Sequence, residues 1–385
     1  MAEDWRAGGF GLYVHWPFCA AKCPYCDFNS HVSRDIDQGR WRRAYLAEID
    51  RVGRLTADRR LDTVFFGGGT PSLMDPDLVA AILDRVRRTW KTEETLEVTL
   101  EANPTSVEAS RFRAYGAAGV TRLSMGVQAL NDEDLARLGR QHSAAEARAA
   151  FDVARSVFDR VSFDLIYARQ HQTLEGWRAE LSEALEMAVD HLSLYQLTLE
   201  PGTAFAERAA RGGLRGLPDE PLGADMYELT QEICAVAGMH GYEISNHARP
   251  GAESRHNLIY WRYGDYAGIG PGAHGRLTLG TRRIGTDTEL APDAWLDMAE
   301  RGHGWRSTEP LAAADEAAEC LMMGLRLREG VSLSRLASLD PNAVREESIE
   351  ELAELGLVER ADDWLRATDS GRLLLNGVIR QLLSE

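Results

Sequence analysis

Leu12-Tyr13-Val14-His15-Trp16-Pro17-Phe18-Cys19-Ala20-Ala21-Lys22-Cys23-Pro24-Tyr25-Cys26 carries an apolar run straight into three cysteines within eight residues. An apolar run ending in chemically active residues is the unit that repeats along the first half of the chain. Its repetition decides the fold. Further runs cover Thr63–Phe66, Glu97–Glu101, Arg122–Val127, Val161–Ile166 and His191–Leu197. Between them, Trp41–Arg51, Pro76–Arg88 and Leu174–Ala188 return apolar residues every three or four positions, the period of an amphipathic helix. Strand and helix alternating in this way imply parallel strands joined by right-handed crossovers. Six such units fit a partial (β/α)6 TIM-like barrel better than a flat sheet.

The polar and glycine-rich motifs directly follow the runs. Cys19 to Cys26 follow the first, Gly67-Gly68-Gly69-Thr70-Pro71 the second, and Glu101-Ala102-Asn103-Pro104 closes the third. Gln128 follows the fourth, and Asp164 lies in the fifth. Strand C-termini of a parallel barrel gather at one mouth, where active sites are built. These motifs are therefore expected to converge on the cysteines.

An iron–sulfur cube usually takes four cysteines, one per iron, so three on one loop leave one iron open to a small molecule. A closed, tetrahedral zinc site using His15 or His31 is the competing reading. Zinc ligands more often come as two short pairs a dozen or more residues apart. Disulfides fit poorly, because five cysteines is an odd count and no secretory segment is recognisable ahead of them. Cys234 and Cys320 stand alone in apolar helical surroundings and read as packing residues.

A chain of 385 residues suffices for one large domain and one small one. With 44% hydrophobic and 27% charged residues it has an ordinary globular composition. No apolar run approaches the roughly 20 residues that span a bilayer, and Met1-Ala2-Glu3-Asp4-Trp5 lacks the basic and apolar regions of a signal peptide. A cytoplasmic location is expected. A net charge of −17 repels a phosphate backbone, so nucleic acid is not an expected partner. The pattern divides into a barrel core over 1–240, a loop-rich linker region over 241–314 and a small C-terminal unit over 315–385. The last unit shows a helix to Leu327, another near Arg345–Leu355, and two wing strands around Gly356–Arg360 and Trp364–Thr368. That is a winged-helix-like α+β arrangement. Its acids outnumber its bases about two to one, which favours packing on the barrel mouth over binding DNA.

Taken together, Cys-x3-Cys-x2-Cys after Tyr13-Val14-His15-Trp16-Pro17-Phe18, then Gly-Gly-Thr-Pro, Glu-Ala-Asn-Pro and Gly126-Val127-Gln128, resemble the radical S-adenosylmethionine superfamily. Within it the chain resembles, over nearly its whole length, the branch of oxygen-independent coproporphyrinogen III dehydrogenases (HemN) and their relatives. The resemblance implies a 4Fe-4S cluster on Cys19, Cys23 and Cys26 at the barrel mouth. It implies S-adenosylmethionine chelated to the open iron through its amino and carboxylate groups, with Tyr13 beside the cluster. Gly68, Gly69 and Thr70 would meet the methionine end of that cofactor, and Glu101, Gln128, Arg140 and Asp164 the rest.

Two features separate subfamilies. In HemN another cysteine stands two positions after the third, where this chain has Phe28. The chain also carries His256-Asn257-Leu258-Ile259-Tyr260-Trp261, an HNxxYW signature. Both features are similar to the HemW-type haem chaperones, which implies haem as a third ligand and hand-over to an acceptor protein, a respiratory membrane-associated one being a candidate. An electron donor is implied if the cluster turns over. The same resemblance makes His256 a haem ligand, with His247 and His274 as competitors. The residues alone equally allow His256 and Asn257 to tie a loop while Trp261 plugs the core. Oxidative decarboxylation of coproporphyrinogen III, and a radical methyltransferase or cyclopropane-forming activity, are the alternatives that Phe28 and HNxxYW disfavour. One departure remains. Relatives follow the fifth strand with a Gly-Leu-Pro-Gly-like turn, whereas here Asp164-Leu165-Ile166-Tyr167 continues into Ala168-Arg169-Gln170-His171-Gln172, so a changed loop shape is expected.

Overall fold

The computed structural model describes residues 4–33 and 35–383. Each of the six apolar runs is a strand, usually longer than its apolar centre. They are β1 (Phe10–Trp16), β2 (Arg60–Gly68), β3 (Lys91–Ala102), β4 (Arg122–Gln128), β5 (Arg160–Tyr167) and β6 (His191–Gln196). Neighbours in sequence pair in parallel from β1 to β6. Strands covered on both faces need apolar residues at nearly every position, which is why they read as continuous runs and not as alternation.

The crossover helices bury one face each. In α1 (Gln38–Leu55), Trp41, Tyr45, Ile49 and Val52 point inward, and the Asp37 carboxylate caps the first turn by accepting from the Arg40 N–H. In α2 (Pro76–Thr89), Asp75 caps and Pro76 opens the helix, where a missing N–H costs nothing. Further helices are α3 (Ala144–Arg155), α4 (Leu174–Met187) and α5 (Glu220–Val236).

Beyond the six parallel strands the sheet continues at both edges. On one side β7 (Asn246–Ala248) pairs antiparallel with β6. On the other, β8 (Asp265–Ile269) adds in parallel to β1, followed by an antiparallel meander of β9 (His274–Leu279), β10 (Arg282–Asp287) and β11 (Ser307–Pro310). The strand order is linear, so the barrel is open along one side. The glycine-rich stretch 241–314 thus carries five strands of the twelve-stranded sheet. It also carries α6 (Arg255–Trp261), which packs against the N-terminal parts of β1 and β2, the end opposite the cysteines.

The C-terminal unit has its own core of Leu321, Leu325, Ile349, Leu352, Leu365 and Ile379. Its three-stranded sheet places β14 (Trp364–Ala367) between β12 (Val331–Ser332) and β13 (Val358–Ala361). Helices α7 (Ala313–Gly324), α8 (Glu346–Glu354) and α9 (Leu375–Leu382) surround it. Cys234 and Cys320 are buried in the two separate cores, as packing residues.

One buried charge joins the barrel to the meander. Asp265, fully buried, accepts from Arg59 at 2.6 Å and from Arg283 at 2.8 Å, and also takes the Thr278 N–H. The Arg283 guanidinium lies 3.9 Å from the centre of the Tyr263 ring. Removing the carboxylate strands two buried cations, which costs about 3–5 kcal/mol. Asp265→Ala is therefore expected to lose that much stability in urea unfolding; a loss below about 1 kcal/mol would contradict this role.

Candidate cofactor site at the barrel mouth

The loop after β1 is fastened to the loop after β2 by backbone hydrogen bonds. The Gly69 N–H donates to the Trp16 carbonyl at 2.7 Å, and the Thr70 N–H to the Phe18 carbonyl at 2.8 Å. That approach requires glycine. Gly68 has a φ of +108°, and a Cβ there would lie 2.5 Å from the His15 ring; at Gly69 it would lie 2.7 Å from the Phe18 carbonyl oxygen. The result is a cavity of about 150 Å³ whose walls include Cys19, Cys23, Cys26, Gly68, Gly69, Thr70, Glu101, Gln128, Arg140 and Asp164. Ten of the twelve residues singled out from the sequence therefore meet in one place. Tyr13 and His256 stand apart.

The polar groups of the cavity are linked. The Thr70 hydroxyl donates to Cys19 Sγ at 3.4 Å and accepts from Asn103 Nδ2 at 3.2 Å. Arg140 donates to Cys23 Sγ at 3.4 Å, to Asn103 Oδ1 at 2.6 Å and to the Gly126 carbonyl at 2.7 Å. Two groups are left over: Gln128 Oε1 and Arg140 Nε are buried without a protein partner. Gln128 also holds a φ of +73° just after a register shift in β4, a costly conformation for a residue with a side chain. Both residues line the cavity, and buried polar atoms without partners beside it fit a polar ligand.

Electrostatics point the same way. Burial, reinforced by the nearby Asp164 charge, pushes the Glu101 carboxyl up to about 8. Burial also pushes Asp164 up to about 6, opposed by a hydrogen bond from Ser193 and by the Arg122 and Arg140 charges. Two buried carboxyls held above their usual range stay protonated more readily than exposed ones, and a nearby cation would favour their ionisation. Burial raises the Cys19 and Cys26 thiols as well, so a metal that takes them as thiolates must displace their protons.

Among the described residues, no three His, Cys, Asp or Glu side chains gather tightly enough to hold a single metal ion. The histidines named for zinc are engaged elsewhere. His15 meets Tyr13 Oη at 3.1 Å and the Asn29 carbonyl at 2.9 Å, and His31 meets Asn29 Oδ1 at 3.2 Å. With both histidines engaged, the three thiols on one loop are the remaining donors, a set compatible with a cube whose fourth iron is open.

Tyr13 lies deeper in the barrel, stacked on Phe65 at 6.2 Å, and faces a second cavity beside the first. His256 lies lower still. Its Nδ1 is 2.7 Å from Thr63 Oγ1 and its Nε2 is 2.7 Å from Tyr260 Oη, with the ring stacked 5.0 Å from Phe65. Both nitrogens are engaged, and burial keeps the ring neutral by lowering its pKa to about 3. This geometry is that of a side chain tying α6 into the barrel floor. His247 is buried and faces Gln231 at 3.1 Å, while His274 is exposed at the rim of the second cavity.

Three site residues gave no usable sequence signal. Asn103 bridges Thr70 and Arg140, Arg122 supplies countercharge to Asp164, and Ser193 hydrogen-bonds that carboxylate. Asn103 belongs to the Glu101-Ala102-Asn103-Pro104 motif, yet its role depends on Arg140 reaching it from 37 residues away. The loop after β5 makes left-handed turns at residues other than glycine: φ is +57° at Ala168 and +60° at His171. Buried Arg169 holds it, donating to the Ile166 carbonyl at 2.7 Å and to Glu180 at 2.5 Å.

A parallel partial barrel with three cysteines after its first strand and a glycine loop after its second defines a protein of the radical S-adenosylmethionine type. The Radical SAM superfamily profile matches residues 13–183, and the HemN C-terminal domain profile matches 311–374. The fold is similar to that of coproporphyrinogen III oxidase (HemN) from Escherichia coli, with a TM-score of 0.79 at 22% identity, covering 99% of this chain and 92% of that one. The chain is 38% identical to heme chaperone HemW of Haemophilus influenzae, over 97% of its own length and 98% of the relative's. It is 41% identical to the mitochondrial radical S-adenosyl methionine domain-containing protein 1 of Bos taurus, over 97% and 87%. The chain belongs to the HemW family of the radical SAM superfamily.

The raised Glu101 pKa makes a directional prediction. The folded state holds this proton between about 4.5 and 8, where an unfolded glutamate has lost it. Its contribution to stability therefore falls as pH rises through that window, by at most about 1.4 kcal/mol per unit. In the metal-free protein Glu101→Gln should flatten the decline in melting temperature between pH 6 and pH 8. Parallel profiles for the two proteins would contradict the assignment.

Proposed function

We propose that this chain is a haem chaperone that binds haem and passes it to an acceptor protein, while holding a 4Fe-4S cluster and S-adenosylmethionine. The observation that carries the cofactor part is the convergence of three free thiols with orphaned Gln128 Oε1 and Arg140 Nε at one barrel mouth. Cys19, Cys23 and Cys26 would hold the cluster, whose contribution when bound is an open iron and one-electron reducing power. Gly68, Gly69 and Thr70 line the cavity and would meet the methionine end of S-adenosylmethionine, with the glycines letting this loop close on the end of β1. Glu101 and Asp164 accept from an ammonium group and from hydroxyls, and their carboxyls would ionise on doing so. Arg140 offers its free Nε–H to a carboxylate, and Gln128 its free oxygen to a donor.

Full-length similarity to heme chaperone HemW of Haemophilus influenzae supports the haem part. Phe28, 55% exposed at the cysteine cavity, stands where the dehydrogenase pattern has a cysteine. In this reading residues 1–240 carry the cofactors, and 241–314 together with 315–385 form haem-facing surfaces. His256 is not needed as the iron ligand, because its nitrogens serve Thr63 and Tyr260.

The test is an anaerobic haem titration of cluster-reconstituted protein, run beside an assay of coproporphyrinogen III conversion with reductant and S-adenosylmethionine. One haem per chain, reported by a Soret shift, with no decarboxylated product is the expected result. Absence of haem uptake, or efficient formation of protoporphyrinogen, would overturn the chaperone reading.

A further inference from the structure

Two large cavities meet at the end of α6, where Tyr260 and Trp261 line both. The larger, about 1500 Å³, opens between α5 and the C-terminal helices. Its lining residues include no histidine, cysteine or methionine, and the side chains there that could reach an iron are the phenols of Tyr195, Tyr227 and Tyr260, the last shared with the smaller cavity. The smaller, about 450 Å³, lies between β1, β9 and α7 and is within the size range of small-molecule sites. Its walls are aromatic: Tyr13, Phe28, Tyr260, Trp261 and Tyr266. Flat apolar faces of that kind suit a porphyrin plane.

The smaller cavity also presents an available imidazole. Of its two histidines, His15 is buried with both nitrogens engaged. His274 is different. It is the first residue of β9, exposed at the rim, and no side-chain hydrogen bond holds its ring among the described residues. Arg276 lies two residues further on the same strand face and is the one guanidinium among the lining residues. Glu319 now holds it at 2.7 Å, and a haem propionate is the kind of anion that shares such a group. Phe28 lines this cavity and the cysteine cavity alike, so an occupant here lies alongside the cluster site.

We propose that haem is bound in this cavity with His274 as an axial ligand to its iron, one edge left in solvent for hand-over. The proposal rests on the haem-chaperone reading and adds its site. It uses a ring that neither the cofactor mouth nor the barrel floor engages.

The experiment titrates haem into the full-length, cluster-reconstituted protein and its variants, reading Soret position, spin state by EPR, affinity, and iron and sulfide content. His274→Ala should weaken haem binding about tenfold or more, and added imidazole should restore the wild-type spectrum. His274→Tyr should keep haem but replace the histidine-ligated spectrum with that of a phenolate-ligated iron. An exposed side chain carries little folding energy, so both variants should keep their cluster. Met323→Trp, which fills the cavity from α7, should exclude haem at unchanged iron and sulfide content. Haem bound by His274→Ala with wild-type spectrum and affinity would overturn this site while leaving the chaperone reading intact. Failure of the wild-type protein to bind haem would overturn both.

Discussion

The close approach of the β2 glycine loop to the end of β1 is the constraint on which the rest of the site depends. Without side chains at Gly68 and Gly69, the backbone passes against His15 and the Phe18 carbonyl, and two hydrogen bonds lock the loops together. That lock sets where the cysteine loop leaves the barrel. It also brings Thr70 to Cys19 and, through Asn103, connects both to Arg140. A side chain at either glycine would push against backbone or a buried ring, so the site cannot adjust by moving a flexible group aside.

Much of this was legible in the sequence because parallel strands covered on both faces leave continuous apolar runs. The six runs mark β1 to β6, and the residues that follow them mark the mouth. The strands of 241–314 left no such trace. They are short, rich in glycine, and held by contacts distant in sequence, such as Asp265 with Arg59 206 residues away. A buried carboxylate opening a strand reads as a loop residue until its cations are seen. Arg122 and Asn103 were silent for the same reason: their partners are distant in sequence, Ser162 for Arg122 and Thr70 and Arg140 for Asn103. The loop after β5 makes left-handed turns at Ala168 and His171 with Arg169 fastening it between them, a device that a search for glycine does not detect.

The HNxxYW signature separates into parts when seen in three dimensions. His256 ties α6 to β2 through Thr63, and its backbone N–H reaches Glu97 of β3 at 3.1 Å, while Tyr260 and Trp261 face the two cavities. A single helix of seven residues therefore seals the barrel floor and shapes the walls above it. The spacing of the motif follows from that double duty. His256 and Tyr260 are four apart, one helical turn, so the phenol can close on the imidazole at 2.7 Å.

In the proposed function, the three cysteines at this mouth hold a cube whose fourth iron is open to S-adenosylmethionine. Mössbauer and EPR spectra of the anaerobically reconstituted protein test it most directly, with and without S-adenosylmethionine. Four irons per chain are expected, one of them distinct from the other three, with a reduced-cluster EPR signal that changes when S-adenosylmethionine is added. A signal that ignores S-adenosylmethionine, or a stable mononuclear zinc on Cys19, Cys23 and Cys26, would contradict it.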